Sequence, residues 1–188
     1  MKTSKLILAF TICCAALVSS RADSFKIDPV HSSVIFNVKH LGVTNFYGDF
    51  KEITGMVTFD SADPAKSSVE LSVPVESLDS RNPKRDQHLK SPDFFNAAQF
   101  PTLTFKSNKI EASGDTYKVS GDLTIHGVTK PVTVDFHKGA EAKGQQGEVR
   151  GGGETKFTIK RSDYGMSFMQ GALGDEVNIV LSLEGIKQ

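Results

Sequence analysis

Apolar and polar residues alternate with a period of two along most of the chain, the pattern of strands that bury one face. Val34, Phe36 and Val38 share a face, with Asn37 and Lys39 opposite. Ile53, Val57 and Phe59 share the next, followed by Val69, Leu71, Val73 and Val75. Leu103 and Phe105 alternate with Thr102, Thr104 and Lys106. Tyr117, Val119, Leu123 and Ile125 come next, then Val132, Val134 and Phe136. Phe157 and Ile159, and finally Val177, Ile179, Leu181 and Leu183, complete a series of eight strands. A further short strand fits ahead of them at Phe25–Ile27.

Turn signals separate several of these runs. Asp60-Ser-Ala-Asp-Pro64, Ser113-Gly-Asp115 and His126-Gly-Val-Thr-Lys-Pro131 each predict a hairpin loop. Residues 139–147 are polar and glycine-rich and predict a loose loop. The triple glycine at 151–153 lacks the lysine and hydroxyl of a phosphate loop, so it predicts a kink or bulge in a strand. Asn82-Pro83 and Ser91-Pro92 each place a capping residue before a proline at the first helical position. They predict short helices at roughly 83–90 and 92–98, between the fourth and fifth strands. There is no internal repeat and no linker. Residues 23–188 are therefore expected to form one all-β domain, closed as an antiparallel barrel or packed as a sandwich. An eight-stranded barrel is either filled by its own side chains or holds one small ligand.

Residues 1–22 change the composition of what folds. Lys2 and Lys5 precede an apolar run from Leu6 to Val18, and Ser20-Arg21-Ala22 offers a cleavage site before Asp23. The run is too short to span a bilayer, which needs about 20 residues. The segment reads as a secretory signal peptide, cleaved near Ala22 to give a periplasmic or secreted protein. Both cysteines, Cys13 and Cys14, lie in it, so a disulfide framework and a cysteine metal site are excluded from the mature chain. The residues before them lack the small residue of a lipid-modified cysteine. Three of the 22 basic residues (Lys2, Lys5, Arg21) leave with the segment and none of the 22 acidic ones, so the net charge falls to −3 with neutral histidines. That argues against a nucleic-acid partner, which selects a broad basic face.

Candidate catalytic chemistry is sparse. His31, His40, His88, His126 and His137 show no paired spacing on a strand or helix, so no metal is expected. Ser32 and Ser33 beside His31 lack a nucleophile elbow and read as loop-bracing. Arg161 with Asp163 reads as a structural ion pair. No enzyme activity and no cofactor are expected.

One stretch stands apart. Arg81, Lys84, Arg85, His88 and Lys90 crowd ten residues of a net acidic chain, and Phe94 and Phe95 follow at once. Asp86 and Lys90 could pair at i,i+4, worth a few tenths of a kcal/mol. Basic side chains beside an aromatic cluster suit a ligand with an anionic head and a hydrocarbon tail. Arg81, Lys84, Arg85 and His88 would face that head or a membrane surface, unless Arg85 only pairs with Asp86 or Asp93.

The sequence resembles the YceI-like family of exported lipid-binding proteins. The resemblance rests on Asp28-Pro-Val-His-Ser-Ser-Val, Val38-Lys-His-Leu-Gly-Val and Arg85-Asp-Gln-His-Leu-Lys-Ser-Pro-Asp-Phe-Phe. It continues through Phe100-Pro-Thr-Leu-Thr-Phe, Gly121-Asp-Leu-Thr-Ile-His-Gly-Val-Thr-Lys-Pro-Val and Arg161-Ser-Asp-Tyr-Gly-Met, covering essentially 24–186. Tyr164 stands where Phe is common. The resemblance implies an extended, lipocalin-like, eight-stranded antiparallel barrel with a long apolar pocket. That pocket would hold a polyisoprenoid, such as an isoprenoid quinone or a polyprenyl phosphate. Some members hold fatty amides instead. The candidate lining is Phe36, Val38, Phe59, Leu71, Val73, Phe94, Phe95, Phe105, Leu123, Ile125, Val134, Phe136, Phe157, Ile179 and Leu181, with Arg85 and His88 at the mouth. A filled barrel that binds an envelope partner through its outer face is the alternative. The sequence leaves the oligomeric state open, a homodimer included, and transient contact with a membrane surface is compatible with it.

Overall fold

The computed structural model describes residues 22–188, so the expected signal peptide at 1–22 lies almost wholly outside the described residues. Among the described residues, twelve strands form one closed antiparallel sheet. They are β1 (Asp23–Ile27), β2 (Ser33–His40), β3 (Thr44–Phe50), β4 (Thr54–Phe59), β5 (Ser68–Pro74) and β6 (Leu78–Asp79). After the helix α1 (Pro83–Leu89) come β7 (Thr102–Ser113), β8 (Thr116–Ile125), β9 (Val128–Lys138), β10 (Ala142–Lys143), β11 (Val149–Lys160) and β12 (Leu173–Lys187).

The barrel has eight walls because six of the strands combine in pairs. β1 and β2 both run antiparallel to β12, at Ile27↔Gly185 and Ser33↔Ser182, and so form one interrupted strand. β3 pairs with β2 while β4 pairs with β1, which makes a second. β5 pairs with β4 while β6 pairs with β3, which makes a third. The continuous strands β7, β8, β9, β11 and β12 complete the ring, and the β11–β12 ladder from Arg150↔Ile186 to Lys160↔Glu176 closes it.

Local chemistry explains most boundaries. Asn82 caps α1 by accepting from the N–H groups of Lys84 and Arg85 at 3.1 Å, with Pro83 at the first helical position. The expected helix at 92–98 does not form. Asn96 adopts φ 47°, and the N–H groups of Phe95 and Ala97 return to the carbonyls of Leu89 and Lys90, folding the segment into turns that bury Phe94 and Ala97. His126 and Gly127 both have positive φ, 51° and 73°, so β8 and β9 meet in a two-residue turn tighter than the predicted loop. The sequence pattern passes over β3 because Gly48 interrupts the inward row Phe46, Gly48, Phe50. A Cβ there would lie 2.5 Å from the Phe36 ring.

Residues 151–153 neither kink nor bulge; they pair regularly across β11–β12. Glycine is needed there for close approach, since a Cβ on Gly152 would meet the Leu183 carbonyl oxygen at 2.0 Å. The expected loose loop at 139–147 contains β10, which pairs back onto β11. β7 continues past Lys106 through a bulge between Ser107 and Lys109 that resets its parity and brings Ile110 inward.

Candidate ligand-binding cavity

The inward faces of these strands do not close on one another. They enclose a cavity of about 670 Å³, within the range of small-molecule sites. β12 borders it from Leu173 to Gly185, roughly 40 Å of strand at about 3.3 Å per residue, or about 30 Å of barrel axis after tilt. One end is bordered by His40, Arg85, His88, Phe94, Met166 and Met169; the other by Phe59, Tyr117, Phe136, Lys138 and Glu141.

Every residue of the candidate lining borders this cavity, Val134 included, and so do Arg85 and His88. Alternation placed the strand residues there; Phe94 and Phe95 arrive through the turn after α1. Sequence reading missed Phe46, Phe50, Leu89, Met169 and Leu173, which also border it, and left Tyr117 out of the lining although it shares the inward row of β8. Phe46 and Phe50 were lost with β3, whose Phe-x-Gly-x-Phe row is broken by Gly48. Met169 follows no strand pattern. Aromatic edges connect much of the wall: Phe36 meets Phe46 at 6.1 Å and Phe50 at 5.7 Å, and Phe50 meets Phe95 at 5.7 Å.

The charged stretch divides. At the α1 end, the His88, Phe94 and Phe168 rings meet edge to face, all within 5.1–5.5 Å. His88 Nε2 lies 2.8 Å from the Asp93 carboxylate. Arg85 stands 4.3 Å over the Phe46 ring while its Nε donates to Ser80 Oγ at 2.9 Å and its Nη2 to the Ser80 carbonyl. It therefore braces Ser80 and does not pair with Asp86 or Asp93. Asp86 does not pair with Lys90 either: its carboxylate accepts from the Ser80 N–H and hydroxyl, and Lys90 reaches Glu76 at 3.1 Å. Arg81 and Lys84 are exposed and do not border the cavity.

The loop after β11 is held from inside. Arg161, 5 % exposed, donates to the carbonyls of Met166, Phe168, Leu173 and Gly174 at 2.8–3.1 Å. The expected pair with Asp163 is not formed, because these carbonyls take the guanidinium. Burial pushes its pKa down while nearby Asp175 opposes the shift. Asp175 itself titrates below the usual carboxylate range, first because Ser162 donates to it. On the wall, Thr155 is 2 % exposed and its hydroxyl has no hydrogen-bond partner in the protein.

Asp28 and His31, three residues apart, and the distant Glu184 bring ligand-type atoms within 4.8 Å of one another. A cation already sits among them. Arg150 Nη1 donates to Asp28 at 2.8 Å and to Glu184 at 2.6 Å, and its Nε donates to Glu148 at 2.8 Å. Hydrogen bonds from His31 first and Arg150 second hold the Asp28 carboxyl at about 2. Ser32 exchanges hydrogen bonds with the Glu184 backbone, so its hydroxyl braces the β1–β2 junction.

Comparison with known proteins places this barrel. Residues 25–185 match the YceI-like domain, and the chain belongs to that family. Protein YceI of Escherichia coli O157:H7 is 37 % identical over 190 residues, covering all of both chains. Among solved structures, Burkholderia cenocepacia BcnA superposes with a TM-score of 0.74 at 28 % identity, over 84 % of this chain and 98 % of that one. A polyisoprenoid binding domain from Saccharophagus degradans, implicated in plant cell wall breakdown, shares the fold at a TM-score of 0.66 and 14 % identity, over 87 % and 98 %.

Proposed function

We propose that the protein is an exported carrier that holds a long-chain isoprenoid lipid, a quinone or a polyprenyl phosphate, lengthwise in its barrel. The carrying observation is the elongated apolar cavity of about 670 Å³. Each methylene buried in such a wall contributes about 0.8 kcal/mol. The polyisoprenoid binding domain that shares this fold supports the same ligand class. Arg85 at one end favours an anionic head, because a guanidinium donates parallel hydrogen bonds to phosphate. The pattern of residues 1–22 supports export to the periplasm or beyond. The reading needs no catalysis, metal or cofactor. A filled barrel working through its outer face has no support in this interior.

Organic extraction of protein purified from its own host, followed by mass spectrometry, tests the reading. The expected result is about one equivalent of an isoprenoid lipid. A fatty amide in its place would change the ligand class, and a lipid-free extract would sink the carrier.

A further inference from the structure

Around the α1 end of the cavity the surface is unusually apolar. Leu41 and Val43, at the tip of the β2–β3 hairpin, are 61 % and 80 % exposed; Phe168 and Met169, in the loop before β12, are 40 % and 42 % exposed. The two segments form one surface: the Leu41 N–H donates to the Ala172 carbonyl at 2.7 Å, and His40 pairs with Leu173. The edge contact between Phe168 and His88 joins α1 to them at 5.5 Å. His40, His88 and Met169 also border the cavity, so the patch is continuous with its opening.

The backbone sharpens the case. Leu41 and Met169 adopt φ of 51° and 55°, a left-handed conformation that bulky apolar residues rarely take. Strain of this kind marks sites that the surrounding structure holds for a purpose. Here it displays two large apolar side chains to solvent. Two exposed cations stand beside the patch: Lys39, which precedes His40 on β2, and Arg85 on α1, which borders the same end of the cavity. Of the nearby acids, Asp93 is held by His88 and Asp175 accepts from Ser162, while Asp163 and Glu176 are exposed.

We infer that this rim docks the protein onto a bilayer containing anionic phospholipid, with the hairpin tip and the Phe168–Met169 loop entering the headgroup boundary and the cavity mouth facing the acyl chains. The inference rests on the carrier reading and adds to it the route by which lipid enters and leaves. Apolar side chains that enter the interface and cations that stay at headgroup level are how peripheral proteins hold a membrane.

The test is co-sedimentation of the mature protein with vesicles of phosphatidylethanolamine and phosphatidylglycerol, and with vesicles of phosphatidylcholine alone. The parent should bind the first more tightly. The double variant Leu41→Asn, Val43→Ser should lose affinity on the order of tenfold or more. Asn tolerates the left-handed conformation at 41, so the melting temperature and the co-purified lipid should be retained. Val30→Ser, which removes an 81 % exposed side chain remote from the mouth, should bind as the parent does. Equal binding by the parent and the double variant would overturn the inference. So would a parent that ignores both vesicles, or one that self-associates in sedimentation velocity where the double variant stays monomeric. Vesicle binding alongside a lipid-free native extract would overturn the carrier reading and leave the docking surface standing.

Discussion

The Arg85 guanidinium lies 4.3 Å over the Phe46 ring while it also braces Ser80 at the start of the α1 segment. One side chain thus covers an aromatic wall of the cavity and keeps a charge at its edge. Arg85→Ala should weaken binding of a polyprenyl phosphate by about 1.5–3 kcal/mol. Binding of an uncharged isoprenoid of the same length should change by about twofold at most, since most of that ligand's affinity comes from methylene burial. Isothermal titration with both ligands checks this. Equal losses would make Arg85 a brace with no part in head recognition.

Ile179 borders the cavity between Phe157 on β11 and Phe36 on β2. In a packed core, Ile179→Trp would cost about 1–3 kcal/mol by overpacking. Facing a cavity, the indole has room, so the melting temperature should stay within a few degrees of the parent's while co-purified lipid falls sharply. Thermal unfolding and extraction of the same sample read both quantities.

Arg161→Met removes the donors that satisfy four carbonyls, of Met166 and Phe168 in the loop before β12 and of Leu173 and Gly174 at the start of that strand. Buried carbonyls left without partners cost about 1–3 kcal/mol each when they cannot reach water. Because part of this loop is exposed, the expected total is about 3–5 kcal/mol in urea denaturation.

The pH response follows from Asp28, whose carboxyl is held at about 2 by His31 and Arg150. Its folded pKa lies below its unfolded value of about 3.9, so its contribution is complete above that value and is lost as pH falls through about 2. Discounted for nearby solvent, the contribution is about 1 kcal/mol. Urea midpoints measured from pH 5 down to pH 2 should fall more steeply for the parent than for Asp28→Asn.

Much of this architecture was legible from alternation alone, because a barrel wall with one apolar and one wet face imposes a period of two. That period marked the inward rows of β8, β9 and β12. It failed where one residue breaks the pattern for a tertiary reason. Gly48 is small because the Phe36 ring occupies its inward space, and β3 was lost with it. The β7 bulge shifts parity and conceals Ile110. Ser91-Pro92 carries a helix-start signal, but turns that seat Phe94 and Ala97 in the core override it. The Asp28–His31–Arg150–Glu184 cluster was invisible because its members come from opposite ends of the chain. The exposed Leu41 and Phe168 carry no periodic signal, since their role depends on the loops they share a surface with.

The three paired walls have one more consequence. Their interruptions, at residues 28–32, 51–53 and 75–77, lie side by side, since Val34 pairs with Phe50 and Phe50 with Leu78 just beyond them. The barrel is thus a tube with a crease: continuous staves from β7 to β12 on one flank, and a jointed panel of three staves on the other. The Asp28–Arg150–Glu184 bridge ties the first joint to the rigid flank like a clasp. Amides along the crease should exchange before those of β8, because fewer ladder bonds hold them. A panel that bent along this line would let the bore widen without any stave leaving the ring.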